Sequence, residues 1–165
     1  MPNRPMSWTQ SKRGPIALSM KAHHLMLLCL AGCGNMPKDP EGTLDRIRQE
    51  HVIRVGRVEG GSAADASDWR RVLARVEAST GAKPVFQPGM LEPLLLDLEA
   101  GKLDLVVGGR FDEKTPWKTR VTLGPPIAKA ETPIGTTASH IVARNGENAW
   151  IMLVQREAKA AGKEP

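Results

Sequence analysis

Leu94-Leu95-Leu96-Asp97-Leu98-Glu99-Ala100-Gly101-Lys102-Leu103-Asp104-Leu105-Val106-Val107-Gly108 is the stretch of sequence that decides the fold. Its leucines predict a helix over residues 89–100, and Gly101 follows the helix end, as a glycine often does. Residues 103–108 form an apolar run around one aspartate, which is typical of a buried strand in a parallel sheet. We expect Asp104 to form local hydrogen bonds there. The stretch therefore predicts a helix that leads into a central strand.

The rest of the chain from Gly42 onward also alternates between helical and extended patterns. The predicted elements are a helix over 43–50 with Thr43 as its N-cap, a strand over 51–58, a helix carrying Trp69, Val72, Leu73 and Val76 that ends at Gly81, a strand over 84–86, an edge segment over 121–126, a linker over 128–139, a strand over 141–143 and a helix over 148–161. Strands separated by helices predict crossover connections and a mainly parallel sheet. The predicted fold class is one α/β domain with helices flanking this sheet.

A second informative stretch, Leu30-Ala31-Gly32-Cys33, follows a short apolar run with Lys21 ahead of it. It resembles the lipobox at which bacterial lipoproteins are cut and acylated. The apolar run is much shorter than the roughly 20 residues of a spanning helix, so it is typical of a cleaved signal. The alternative is that residues 22–32 form a buried apolar segment and Cys33 is an ordinary core residue.

The lipobox interpretation divides the chain into three parts. Residues 1–32 are a lipoprotein signal peptide, residues 33–41 a tether, and residues 42–165 a single α/β lobe. Because a conventional signal would begin at Met20, residues 1–19 are interpreted as an upstream extension or as the result of a misplaced start. Cys33 is the predicted lipidation site, which implies a protein anchored by acyl chains on the periplasmic side of a bacterial cell membrane.

The charge of the chain argues against a nucleic-acid partner. The chain has 23 Lys and Arg residues against 18 Asp and Glu residues, but four of the basic ones and none of the acidic ones lie in residues 1–32. From Cys33 onward, 19 basic residues stand against 18 acidic ones. No basic stripe interleaved with aromatic residues is visible, so we expect no nucleic-acid binding.

Motifs for catalysis are absent from the sequence as well. No nucleophile elbow, glycine-rich phosphate loop or paired acid–base carboxylates occur. His51 and His140 stand alone, without metal-ligand spacing. Cys29 would leave with the signal peptide, so no disulfide or cysteine metal site would remain. The sequence therefore predicts no enzyme, no catalytic residue, no metal and no cofactor.

A resemblance to a known family rests on a set of motifs in a fixed order. These are Ile53-Arg54-Val55-Gly56, then residues 94–109 quoted above, then Thr115-Pro116-Trp117, Arg120-Val121 and Pro125-Pro126. Over residues 42–127 the chain resembles the first lobe of bacterial extracellular solute-binding proteins of family 3, the amino-acid-binding type of ABC transporters. The resemblance implies a single lobe of the periplasmic binding protein type 2 fold. Many such proteins are lipoproteins, which agrees with the predicted anchor.

The chain also departs from that family in ways that affect binding. Only 38 residues follow Ile127, too few for a second lobe, so the linker over 128–139 would replace it. Residues 141–154 would supply the returning strand and helix. Lys118 stands where the family has an arginine that grips a ligand carboxylate, and a lysine loses the bidentate fork. Ile127 stands where the family has a hinge tyrosine. Half a cleft implies weak binding unless a partner or a second copy supplies the other wall.

Six residues are the candidate ligand-binding residues of this lobe: Glu59, Arg110, Glu113, Thr115, Trp117 and Lys118. Glu59 and Arg110 follow predicted strands, and ligands bind at the carboxyl ends of strands in open α/β sheets. The alternative is a solvated charged loop with Trp117 packed on the sheet edge.

The sequence leaves two functions open. The first is a membrane-anchored, extracytoplasmic, solute-binding-like protein that captures a small polar or amino-acid-like solute for an ABC transporter permease or a sensor. The second is an envelope protein-interaction module that kept the lobe fold and lost high-affinity solute binding.

Overall fold

The computed structural model describes residues 39–61, 63–133 and 135–162, which all belong to one compact unit. The predicted signal peptide, Cys33 and most of the predicted tether lie outside the described residues. The elements are α1 (Thr43–Glu50), β1 (Val52–Val58), α2 (Ala63–Thr80), β2 (Lys83–Gly89), α3 (Leu91–Glu99), β3 (Leu105–Asp112), a short 3₁₀ helix (Pro116–Thr119), β4 (Val121–Leu123), β5 (Ala128–Thr132), β6 (Gly135–Arg144) and α4 (Asn148–Ala161). No helix in the described ranges has both the length and the apolar character needed to cross a membrane.

The six strands form one sheet in the order β2-β1-β3-β6-β4, and β5 also pairs with β6. β1 pairs in parallel with β2 and with β3, whereas β6 pairs antiparallel with β3, β4 and β5. Within the described part of the chain, five strands therefore run in one direction and β6 runs in the other. The predicted α/β class, with a mainly parallel sheet and flanking helices, is confirmed.

The predicted linker over 128–139 is wrong, because these residues form a β-hairpin. β5 pairs with the first half of β6 from Ala128↔Ser139 to Thr132↔Gly135. The hairpin continues the edge begun by β4, since the Ile127 amide donates to the Ser139 carbonyl at 3.0 Å. The strand predicted over 141–143 is the end of the longer β6. β5 has no large apolar residue, so its sequence shows no apolar–polar alternation that would predict a strand. It is recognised as a strand by its backbone pairing with β6.

Helices cover both faces of the sheet and enclose two apolar clusters. α2 and α4 cover one face, where Trp69, Leu105, Val107 and Trp150 are buried together. α3 covers the other face, where Leu94, Leu98, Val106 and Phe111 are buried. The predicted core positions of Trp69 and Trp150 are confirmed, with 4% and 0% of their surfaces exposed.

Two carboxylates join the N-termini of the first and last helices. Asp39 accepts the Leu44 amide at 3.0 Å through one oxygen and the Ala149 amide at 2.7 Å through the other. Buried Glu147 accepts the amides of Glu41 and Thr43, each at 3.1 Å. Such contacts satisfy amides that a helix leaves without partners, and they place negative charge at the positive end of the helix.

The prediction that Thr43 caps α1 is wrong. Gly42 occupies the N-cap with φ 66° and ψ 31°, a left-handed conformation that favours glycine, and Thr43 begins the helix. The caps come instead from Asp39 and Glu147. Glu147 is 104 residues from Thr43 in sequence, so no local pattern could reveal it.

Replacing Glu147 tests this junction. We expect Glu147→Ala to lower the free energy of unfolding by about 1–2 kcal/mol, because two amides lose their acceptor in a buried place. Glu147→Gln keeps the shape and one acceptor oxygen and should cost less. Urea denaturation followed by circular dichroism measures both. Equal midpoints for Glu147→Ala and the wild type would contradict the proposed role.

Candidate functional site

The candidate site lies at the carboxyl ends of β1 and β3, where open α/β sheets bind ligands. Glu59 directly follows β1 and is exposed, and its amide donates to the Gly89 carbonyl at 3.1 Å. Arg110 lies inside β3, because this strand continues to Asp112. The strand predicted over 103–108 therefore begins later and ends later than expected.

A β-bulge at Gly108 decides which way Arg110 points. Val106 pairs with Val142 and Gly109 pairs with His140, so three residue steps along β3 correspond to two along β6. Gly108 has φ 81°, a conformation that glycine adopts without strain. Because the extra residue reverses the alternation of side chains, Phe111 joins the α3 cluster and Arg110 turns towards α2.

Arg110 meets Asp65, in the first turn of α2, as a two-pronged ion pair. Arg110 Nε and Nη2 donate to the two Asp65 oxygens at 2.9 and 2.7 Å. The Asp65 side chain is 5% exposed and the Arg110 side chain 32%. This fork is the geometry with which arginine binds carboxylates, so a carboxylate of the chain itself occupies it.

The loop after β3 holds the other four predicted residues. Thr115 is buried and precedes the 3₁₀ helix, and its amide donates to the Asp112 carbonyl at 3.3 Å. Trp117 packs beside the α3 cluster, with the Arg120 guanidinium 4.6 Å from its ring centroid. The Lys118 ammonium donates to the Glu113 carbonyl, and both side chains are otherwise exposed.

Two open grooves flank the hairpin at this end of the sheet. One, of about 350 Å³, is lined by Phe111, Asp112, Glu113, Lys118, Leu123, Gly124, Pro126, Lys129, Thr136, Thr137, Ala138 and His140. The other, of about 440 Å³, is lined by Asp112, Glu113, Lys114, Thr132, Gly135, Thr136 and Thr137. Carboxylates, ammonium groups and hydroxyls therefore line the same concave surface.

The structure thus brings only part of the predicted set together. Glu113 and Lys118 line the smaller groove, whereas Glu59, Arg110, Thr115 and Trp117 line neither groove. The sequence missed the hairpin lining, including Lys129, because residues 128–139 were predicted as a linker. Their alternation of threonine and alanine with charged residues is the one signal that could have indicated a polar hairpin.

His140 lies on the β6 wall of the smaller groove. Its Nδ1 donates to the Gly124 carbonyl at 2.7 Å, and its ring lies 6.1 Å from the Phe111 ring. Burial lowers the pKa of His140 below the usual 6.5, and the charge of Lys118 adds to this, while the Gly124 hydrogen bond opposes it. The imidazole is therefore neutral at pH 7. No group of three potential metal-ligating side chains occurs in the ranges the structure covers.

Solved structures share this fold. Domain 1 of the arginine-binding protein of T. maritima, in an arginine-bound mutant form, matches 73% of this chain and 99% of its own length, at 14% identity and a TM-score of 0.60. The fold is that of one periplasmic binding protein domain. An ancestral cationic amino acid solute-binding protein matches at 13% identity and a TM-score of 0.58, over 73% of this chain and 94% of its own.

An amino acid ABC transporter substrate-binding protein from Streptococcus pneumoniae, bound to L-arginine, also matches this domain. It shares 10% identity and has a TM-score of 0.58, over 72% of this chain and 91% of its own. No protein-family model and no curated protein sequence matches the chain. At these identities the likeness establishes the fold alone.

A double-mutant cycle tests the Asp65–Arg110 pair. We expect Asp65→Ala and Arg110→Ala to be coupled by about 1–3 kcal/mol of unfolding free energy, because the pair is largely shielded from water. The matched control is Asp68 with Arg71, a pair on α2 at 3.1 Å whose side chains are 31% and 46% exposed. Its coupling energy should be below about 0.5 kcal/mol. Equal coupling energies for the two pairs would contradict the claim that the Asp65–Arg110 pair is shielded from water.

Proposed function

We propose that this protein is a membrane-anchored, extracytoplasmic, solute-binding-like protein that captures a small polar or amino-acid-like solute for an ABC transporter or a sensor. The observation that carries the proposal is the match to a single domain in its arginine-bound form, 99% of whose length this chain covers. In that relative, one domain without a second lobe is described as arginine-bound. A second lobe is therefore no precondition for binding by this fold.

The lining of the two grooves suits a zwitterionic solute. Asp112 and Glu113 could hold an ammonium group, and Lys118 and Lys129 could hold a carboxylate. The neutral His140 imidazole and the hydroxyls of β6 add hydrogen-bond capacity without net charge. Opposite charges on one concave surface match the two ends of an amino acid.

The alternative function is an envelope protein-interaction module. The observation that favours it is the internal use of the predicted ligand groups. Arg110 is held by Asp65, Lys118 by the Glu113 carbonyl, and Trp117 is covered by Arg120. These contacts reduce what the site can offer a free solute, and they leave a polar, pre-formed surface for a protein.

A thermal-shift screen distinguishes the two functions. The purified protein is heated with L-arginine, L-lysine, L-glutamate, L-glutamine and dicarboxylic acids. A ligand present at about 100 times its dissociation constant should stabilise the protein by about 2.7 kcal/mol and raise its Tm by several degrees. Glu113→Gln together with Lys118→Gln should reduce the shift. Unchanged Tm values for every solute at about 10 mM would contradict solute binding and favour the alternative.

The proposed anchor has its own test. In a bacterial host grown with radiolabelled palmitate, the wild-type chain should take up label and sediment with membranes. Cys33→Ser should abolish both the labelling and the sedimentation, because it removes the acylated thiol, while Cys29→Ser should abolish neither. Labelling that persists in Cys33→Ser, or a soluble unlabelled wild-type protein, would contradict lipidation at Cys33.

A further inference from the structure

The two open edges of the sheet are protected very differently. On the β2 edge, the Lys83 amide donates to the His51 carbonyl, and the Gly89 carbonyl accepts the Glu59 amide. The backbone N–H and C=O groups of the odd-numbered β2 residues therefore point towards β1, and those of the even-numbered residues point outward from the sheet. Two of the three outward positions are Pro84 and Pro88, which cannot donate a hydrogen bond. Prolines on an edge prevent another strand from pairing there.

The opposite edge has no such protection in β5. Its five residues, Ala128–Thr132, contain no proline, so each residue whose backbone faces outward has an amide to donate. One side of β5 pairs with β6, and within the described ranges no strand pairs with its other side. Small side chains alternate with the exposed Lys129 and Glu131. Charged side chains discourage the pairing of an arbitrary strand at an edge, so a partner strand must place opposite charges against Lys129 and Glu131.

The sequence of β5 is complementary to itself in the antiparallel direction. If two copies pair about a two-fold axis at Ala130, then Lys129 of each copy lies opposite Glu131 of the other. Ala128 then lies opposite Thr132, and Ala130 opposite Ala130. Oppositely charged residues directly across an antiparallel pair stabilise it, and a two-fold axis produces both ion pairs at once.

We propose that the β5 edge is an interface between two copies of this chain, paired antiparallel about Ala130. The charged side chains stand on one face, because they alternate with the small residues of β5. Glu131 already accepts the Thr136 hydroxyl at 3.0 Å from the neighbouring strand, which holds its carboxylate on that face. Lys129 on the same face lines the 350 Å³ groove.

The interface would also extend the candidate site. Pairing places Glu131 of the second copy beside Lys129, which lines the 350 Å³ groove. The second copy would therefore extend the wall of this groove. The proposal itself does not depend on solute binding, since it rests on the hydrogen-bonding edge and its charges alone.

A five-residue edge buries less area than the roughly 800 Å² per partner of a standard interface. We therefore expect weak association, with a dissociation constant on the order of 100 µM in solution. Anchoring both copies in one membrane would raise their effective concentration and favour pairing.

Charge exchange across the axis gives a direct test. Sedimentation velocity of the purified full chain, over about 10 µM to 1 mM, should show a concentration-dependent dimer for the wild type. Lys129→Glu alone and Glu131→Lys alone should each weaken it about tenfold, because each turns two attractive pairs into repulsive ones. An equimolar mixture of the two single variants should dimerise again, as should the double variant that carries both changes.

Lys159→Glu on α4 is the matched control, since it makes the same charge change at an exposed position far along the chain. It should dimerise like the wild type, and circular dichroism should show every variant folded. A wild type that stays monomeric, single variants that dimerise normally, or a mixture that fails to recover would each overturn the proposal. A monomer whose Tm still rises with amino acids would overturn this interface while leaving the proposed function standing.

Discussion

The structure depends on one buried carboxylate, that of Asp104, which directly precedes the central strand β3. It accepts the Arg54 amide at 2.7 Å and the Arg54 guanidinium at 2.9 Å, together with the guanidinium of Arg46. The Asp104 carbonyl accepts the indole N–H of Trp150 at 2.9 Å. One residue thus joins α1, β1, β3 and α4, and the expectation that Asp104 forms local hydrogen bonds is wrong, because its side-chain partners lie 50 and 58 residues away in sequence. A buried charge is tolerated only when it is paired in this way, so the packing of both terminal helices is coupled to the position of β3.

Two later features of the chain determine which side chains are available for binding at the opposite end of the strands, where the grooves lie. β6 lies between β3 and β4, and the β5–β6 hairpin extends the edge of the sheet beside β4. The bulge at Gly108 turns Arg110 away from the grooves and into an ion pair with Asp65. The polar surface available to a partner molecule is consequently built from the hairpin and the loop after β3, and less from the ends of β1 and β3 than the sequence suggested.

Much of the fold was predictable because it follows local periodicity. The signals that were read correctly depend only on neighbouring residues: the apolar run around Val106, the helical spacing of Trp69 and the glycine after α3. The remaining features depend on contacts that are distant in sequence. Asp39 and Glu147 cap helices across the whole domain, Asp65 reaches Arg110 over 45 residues, and β5 is a strand only because β6 lies beside it. No local pattern carries that information. The prediction of the candidate site therefore missed the hairpin and the internal pairing of Arg110.

The central claim is that this α/β domain binds a small solute in the grooves beside the hairpin. Its most direct test is a titration of L-arginine into the ¹⁵N-labelled protein, followed by amide chemical shifts. We predict that the largest chemical-shift changes fall on residues 111–118 and 128–140, with little change around Asp104 at the opposite end of the strands. Chemical-shift changes confined to the residues around Asp104, or no changes at saturating L-arginine, would contradict the claim.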